Sequence, residues 1–210
     1  MASAKNVKTD IYEDLHSDIL NHVYDFGEKI NIDEICRKYS VSNSPVREAL
    51  NMLQKKNLVE IKPNQGAFVT KMDAQKYSEL ADAIRMLLLG SYELCYISNK
   101  SDLLATNMEK AYKDLADCVA DKNATDEDKM KKLLLFDKSF SLSTENSVIL
   151  SIFDEYSDLM LLAYLFNHRN RQINWDFNVS RSQDMINRVR SRDYEVVKGH
   201  IWSKYASHLG

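Results

Sequence analysis

Ser42-Asn43-Ser44, Arg47 one helical turn later, and Lys62, Asn64 and Gln65 beside Gly66 are the residues of this 210-residue chain whose types and spacing suit a chemistry. They are hydrogen-bond donors and acceptors rather than nucleophiles. Small polar side chains let the backbone approach an anion, and the free amides at a helix start bind phosphate. An arginine presents a two-pronged donor suited to a guanine edge, and a carboxamide matches adenine. Together they imply contact with duplex DNA. Signs of catalysis are lacking: there is no P-loop, no G-x-S-x-G, no H-E-x-x-H and no Cys/His pair at useful spacing.

The elements that must position these residues can be read from periodicity. Ile11, Leu15, Ile19 and Val23 recur every four positions, one face of a first helix. Ile30, Ile32 and Ile35, with Asp33 and Glu34 in the first turn, suit a short second helix capped by Asn31 and ending near Tyr39. Ser40 to Ser44 make a polar turn, and Pro45 fits only the first turn of a third helix. That helix turns Val46, Ala49, Leu50 and Leu53 inward and leaves Asn43, Ser44, Arg47, Asn51 and Lys55 outward. Two β-prone runs, Leu58 to Ile61 and Ala67 to Thr70, flank Lys62-Pro63-Asn64-Gln65-Gly66 and predict a hairpin with a polar tip. Helix, helix, turn, helix, hairpin is the winged helix-turn-helix order, in which the third helix enters the major groove.

On these residues the segment from about 8 to 72 resembles the DNA-binding domain of the GntR family of bacterial transcription regulators. The matching residues are Tyr12 and Leu15, Gly27-Glu28-Lys29-Ile30, Pro45-Val46-Arg47-Glu48-Ala49-Leu50 and Gly66-Ala67-Phe68-Val69. The resemblance implies DNA contacts from Asp33, Lys38, Ser42, Asn43, Ser44, Arg47, Lys62, Asn64, Gln65 and Gly66. Two family positions depart: arginines are usual where this chain has Asp33 and Asn43, so of that set only Arg47 remains. A less G-rich operator is expected, with Asn43 available to pair with adenine.

Net charge is −3, and basic and acidic residues are about balanced over the first 72 positions. A basic footprint must then be local, from Lys38, Arg47, Lys55, Lys56 and Lys62, with Asp10, Glu13 and Asp14 expected elsewhere. The apolar stretch Ile149 to Phe166 is broken by Asp154, Glu155 and Asp158, and the start of the chain has no signal-peptide pattern, so a cytoplasmic protein with no membrane span is expected. Cys36, Cys95 and Cys118 are far apart and without metal-ligand spacing, which reads as reduced core thiols.

The fold expected is mainly α: a winged helix-turn-helix over 1–72, then an all-helical bundle of about six helices over 73–210. Its helices run from about Ala74 to Ser98, through Leu104 to Val119, from Thr125 to Leu142, from Asn146 to Asn167, from Asp176 to Arg190 and from Asp193 to His208. The face of the first is Leu80, Ile84, Leu87, Leu88, Ser91 and Leu94. Tyr92, Tyr96, Met108, Met160 and Tyr164 recur at helical spacing and suit a core or a dimer interface.

Arg85, Asp137-x-x-Phe140, Asn146, Ser182, Asp193 and Lys204 give this half a resemblance to the FadR-like branch, whose C-terminal domain, of the FCD type, dimerises and binds a small effector. Most members place Asp, His, His and His around a divalent metal. Here those positions read Asp137, Ser141, Ser182 and Lys204, so the resemblance implies no metal and no other cofactor. Lys204 could then pair with Asp137, or reach solvent. Arg85 is the candidate clamp for an effector carboxylate, or pairs with Asp82; Tyr156, Ser141, Ser182 and His200 could add hydrogen bonds. The function implied is a ligand-responsive homodimeric regulator, more often a repressor, on a near-palindromic operator, sensing a small organic acid or acyl metabolite. The alternative is a DNA-binding dimer whose sensor binds nothing.

Overall fold

The computed structural model describes residues 4–168 and 172–204, with side chains for 7–168 and 172–203. Its contacts separate two compact units: Met1–Asp73 with Glu155–Leu162, and Ala74–Asp154 with Ala163–Gly210. The fold class is the one expected, mainly helical with a small sheet. Among the described residues there are nine helices and one three-stranded antiparallel sheet.

The first unit is built on α1 (Ala4–Leu20), β1 (Lys29–Ile30), α2 (Ile32–Tyr39), α3 (Asn43–Lys55), β2 (Val59–Lys62) and β3 (Gly66–Val69). Ile11, Leu15 and Ile19 of α1 are buried against α3, whose Val46, Ala49, Leu50 and Leu53 are at most 1% exposed. Each large apolar side chain so buried contributes about 1.5–3 kcal/mol, which fixes the rotation of α3 and hence the direction of its polar face. Val23 does not extend the α1 face. The helix stops at Leu20, His22 takes a left-handed φ of 55°, and Val23 is left 65% exposed.

Asn31 caps α2 as expected, its side chain accepting from the amides of Asp33 and Glu34. The α2–α3 turn follows from Ser40, whose φ of 54° closes the helix while its amide bonds back to Arg37 and Cys36. The hairpin strands lie one residue off the expected runs, and sequence reading misses β1. Two residues long, β1 pairs Lys29 with Phe68 and Ile30 with Ala67, giving the sheet order β1-β3-β2.

The second unit comprises α4 (Ala74–Ile97), α5 (Ser101–Ala120), α6 (Asp126–Ser143), most of α7 (Ser147–His168), α8 (Trp175–Ser191) and α9 (Tyr194–Lys204). The last is described only to Lys204, so the expected extension to His208 falls outside the described residues, as do 169–171 of the expected break. Thr125 opens α6 with a reciprocal cap: its hydroxyl accepts from the Asp128 amide while the Asp128 carboxylate accepts from the Thr125 amide. α5 packs on α6 and α8, and α4 on α6 and α9. The buried face of α4 is Leu80, Ala81, Ile84, Arg85, Leu88, Ser91, Tyr92 and Cys95, so Leu94 at 37% and Tyr96 at 38% exposure turn outward instead. Of the three free thiols only Cys95 is a core residue; Cys36 and Cys118 are half-buried. No helix among the described residues is long and apolar enough to cross a membrane.

Candidate nucleic-acid interface

The first unit carries a groove of about 850 Å³ whose walls are the start of α2, the polar face of α3 and the hairpin tip. Asp33, Asn43, Arg47, Asn51, Lys62, Asn64, Gln65 and Gly66 line it. The inward set of α3 determines this. Positions 46, 49, 50 and 53 point to the core, so 43, 47 and 51, each one turn on from the last, share the opposite face. Arg47 is exposed and makes no ion pair among the described residues. Its two neighbouring carboxylates are engaged elsewhere, Glu48 with Lys8 at 3.3 Å and Glu34 with Asn31 Nδ2 at 2.8 Å.

Ser42 precedes α3 in extended conformation without a side-chain cap bond, so the first-turn amides stay available for a phosphate. Ser42 and Ser44 are exposed beside the groove rather than on its wall. At the other wall, Gln65 N–H donates to Lys62 O at 3.1 Å and Asn64 sits at a φ of 59°. Gly66 follows at a φ of 108°, where a Cβ would meet Lys29 Cε at 3.3 Å. The wing tip therefore depends on a glycine for its backbone conformation.

Lys29 and Asn31 also line the groove, and neither was a sequence-derived candidate. Lys29 is brought there by β1: its ammonium lies 6.0 Å from the Phe68 ring centre, and that of Lys62 lies 4.8 Å away. Both are exposed, and Lys62 also pairs with Glu60 at 3.6 Å. Asn51 was legible as an outward position of α3 but was not among the proposed contacts. Lys38 lies off the groove. It bonds Asp14 at 3.1 Å, and Tyr39 donates to the same carboxylate. The Tyr39 hydroxyl and then Lys38 hold the Asp14 carboxyl below its usual range, and Asp14 in turn raises Lys38. Asp14, expected away from the basic residues, is thus the partner of one of them. Asp33 adds an acceptor to the groove wall, a group able to take the cytosine amino donor.

Residues 7–69 match the family model of the gntR bacterial regulatory proteins. Over these residues the chain is similar to GntR-family DNA-binding domains. The HTH-type transcriptional regulator YdhC of Bacillus subtilis is 24% identical over 204 residues, covering 92% of this chain and 85% of that protein. The HTH-type transcriptional repressor RspR of Escherichia coli is 33% identical over 66 residues, 31% of this chain and 29% of that one. In fold, a GntR transcriptional regulator structure from Rhodococcus sp. RHA1 aligns at a TM-score of 0.65 and 15% identity, covering 95% of this chain and 93% of the other.

In the second unit, Asp137, Ser182 and His200 line one small cavity between α6, α8 and α9, with Leu88, Phe136, Phe140 and Arg181. The space open to the centre of a water-sized sphere is about 10 Å³, room for about one water. Asp137 is fully buried and accepts from Tyr164 Oη at 3.2 Å. Arg181, which sequence reading missed, donates from Nε to His200 Nε2 at 3.3 Å, and Asp184 faces His200 Nδ1 at 3.4 Å. Three expected effector residues do not line this cavity. Ser141 Oγ lies 3.4 Å from Ser91 Oγ, Arg85 bonds Asp82 at 2.9 Å under the Trp202 ring, and Tyr156 is 37% exposed on α7. The Lys204 side chain lies outside the described residues.

The donors around Asp137 do not fit the metal usual for the FadR-like branch. The Asp137 carboxylate and the Ser182 hydroxyl are a weak set for zinc or nickel, and both ring nitrogens of His200 already face partners. Among the described residues, no three His, Cys, Asp or Glu side chains cluster.

Proposed function

We propose that this chain is a cytoplasmic, sequence-specific operator-binding repressor that acts as a homodimer through an FCD-type second unit of the FadR-like branch. The observation that carries this reading is the groove in which Asn43, Arg47 and Asn51 of α3 face Lys62, Asn64 and Gln65 of the hairpin tip. Its donors lie one helical turn apart on a single face, which a helix seated in a major groove turns toward base edges, with the tip available for the adjacent backbone or minor groove. Two copies related by a two-fold axis would read the two halves of a near-palindromic site.

Selection of binding sites from a pool of random duplexes by the full-length chain tests this. An enriched inverted repeat supports the reading, with a protein-to-DNA stoichiometry of two to one. Enrichment of no sequence, or of a single half-site bound by one copy, refutes it.

For the second unit we propose a sensor without a metal, taking a small organic acid or acyl group near Asp137, Ser182, His200 and Arg181. A second reading, a dimer whose sensor takes no effector, is favoured by the 10 Å³ cavity, since an effector must part α8 or α9 to enter. Thermal-shift screening separates the two: a compound that raises Tm and changes operator affinity establishes the sensor. Stoichiometric zinc or nickel in the purified protein contradicts the metal-free reading.

A further inference from the structure

Asn43 begins α3 as an exposed groove-lining residue, and its carboxamide is not symmetric in its surroundings. Cys36, in the last turn of α2, lies with Sγ 3.0 Å from Asn43 Oδ1. A thiol donates through S–H, and an amide oxygen accepts. The oxygen of Asn43 is therefore turned back toward α2. A bidentate pair with adenine needs both ends of the carboxamide at the base, the oxygen accepting from N6 and the amino group donating to N7. With the oxygen held, the amino group is what reaches the groove.

We infer that Cys36 is a specificity-determining positioning residue, holding Asn43 so that it reads a base acceptor that adenine lacks (guanine O6 or thymine O4) instead of pairing with adenine. This rests on the operator-binding reading above. It also changes the expectation drawn from residue type, in which asparagine at this place meant adenine. The α2–α3 turn makes the arrangement possible: Ser40 at its left-handed φ and the Val41 amide bonded to Cys36 O at 3.0 Å bring the end of α2 against the start of α3. Cys36 is half-buried and off the groove wall that Asn43 lines, so it meets the carboxamide from the α2 side and leaves the rest of that side chain to the DNA.

The test is random-duplex selection with the full-length chain in four forms: wild type, Asn43→Ala, Cys36→Ala and Cys36→Ser. One position of each half-site should lose its preference in Asn43→Ala, and in wild type that position should be guanine or thymine. Cys36→Ala should admit adenine there, while Cys36→Ser, which keeps a donor, should retain the wild-type base. Direct titration should show wild type preferring the acceptor base over adenine by roughly five- to ten-fold, the worth of one hydrogen bond, and Cys36→Ala reducing that ratio toward one. Matching melting temperatures for the three variants keep folding out of the comparison. Adenine at the Asn43-dependent position in wild type, or identical preferences in wild type and Cys36→Ala, overturns the assignment. Failure of wild type to enrich any sequence overturns instead the operator-binding reading, and this inference with it.

Discussion

Replacing Arg47 with alanine separates base recognition from folding. Arg47 lies on the exposed face of α3, whereas the helix is held by Val46, Ala49, Leu50 and Leu53, all at most 1% exposed. No ion pair is lost among the described residues, because Glu48 is bridged to Lys8 and not to Arg47. Alanine is also the best helix former, so Tm should not fall. What disappears is a two-pronged donor worth about 1–3 kcal/mol of base discrimination, or roughly a 5- to 150-fold weaker Kd on the selected operator. On a scrambled duplex the loss should be confined to one cation, seen as a fall of about 0.9 in the slope of log K against log salt. Fluorescence anisotropy titrations at several salt concentrations, on both duplexes, measure the two effects together. Arg47→Lys should restore the salt slope without restoring the operator preference, since an ammonium cannot supply the planar fork. Equal weakening on both duplexes, with full rescue by lysine, would make Arg47 a phosphate contact and refute base reading. Unchanged affinity would remove it from the interface.

Three further expectations concern the frame of the two units. Gly66→Ala forces a side chain onto a φ of 108° and against Lys29 Cε, so it should destabilise the first unit by about 1–3 kcal/mol and weaken binding to any duplex; urea titration showing no loss refutes the stated role of the glycine. Thr125→Ala removes the α6 cap and should cost about 0.5–2 kcal/mol at neutral pH. Bonds from the Thr125 side chain and then its backbone hold the Asp128 carboxyl below its usual value. That stabilisation is therefore present above the ordinary carboxylate pKa and lost as pH falls through the lowered one. The gap between wild type and variant should narrow below about pH 4, and a constant gap contradicts the pairing. Burial pushes the Cys95 thiol up to about 11 and also raises Cys118. Since the thiolate is the nucleophile, native protein at pH 8 should alkylate Cys95 only after denaturation, as mass spectrometry of labelled peptides would show.

What the sequence reveals divides along the range of the forces involved. The caps at Asn31 and Thr125, the inward set of α3 and the polar hairpin tip each arise within a few residues, so residue type and spacing specify them. β1 escapes because two residues carry no period; its existence depends on Phe68 and Ala67, far along the chain, and with it the approach of Lys29 to the groove was hidden. The second unit shows the same limit more severely. Asp137 and Ser141 are one turn apart on α6, and sequence spacing assigns them one site. Four residues along a helix also rise about 6 Å, and that suffices to give the two side chains different neighbours, Tyr164 for the carboxylate and Ser91 for the hydroxyl. Arg181 and Asp184, at i and i+3 on α8, were not singled out from the sequence. They become partners of His200 only because α9 packs on α8, and a pairing of helices is a property that no local pattern encodes. By facing both nitrogens of that ring they give the imidazole a structural role that its place in the sequence does not show.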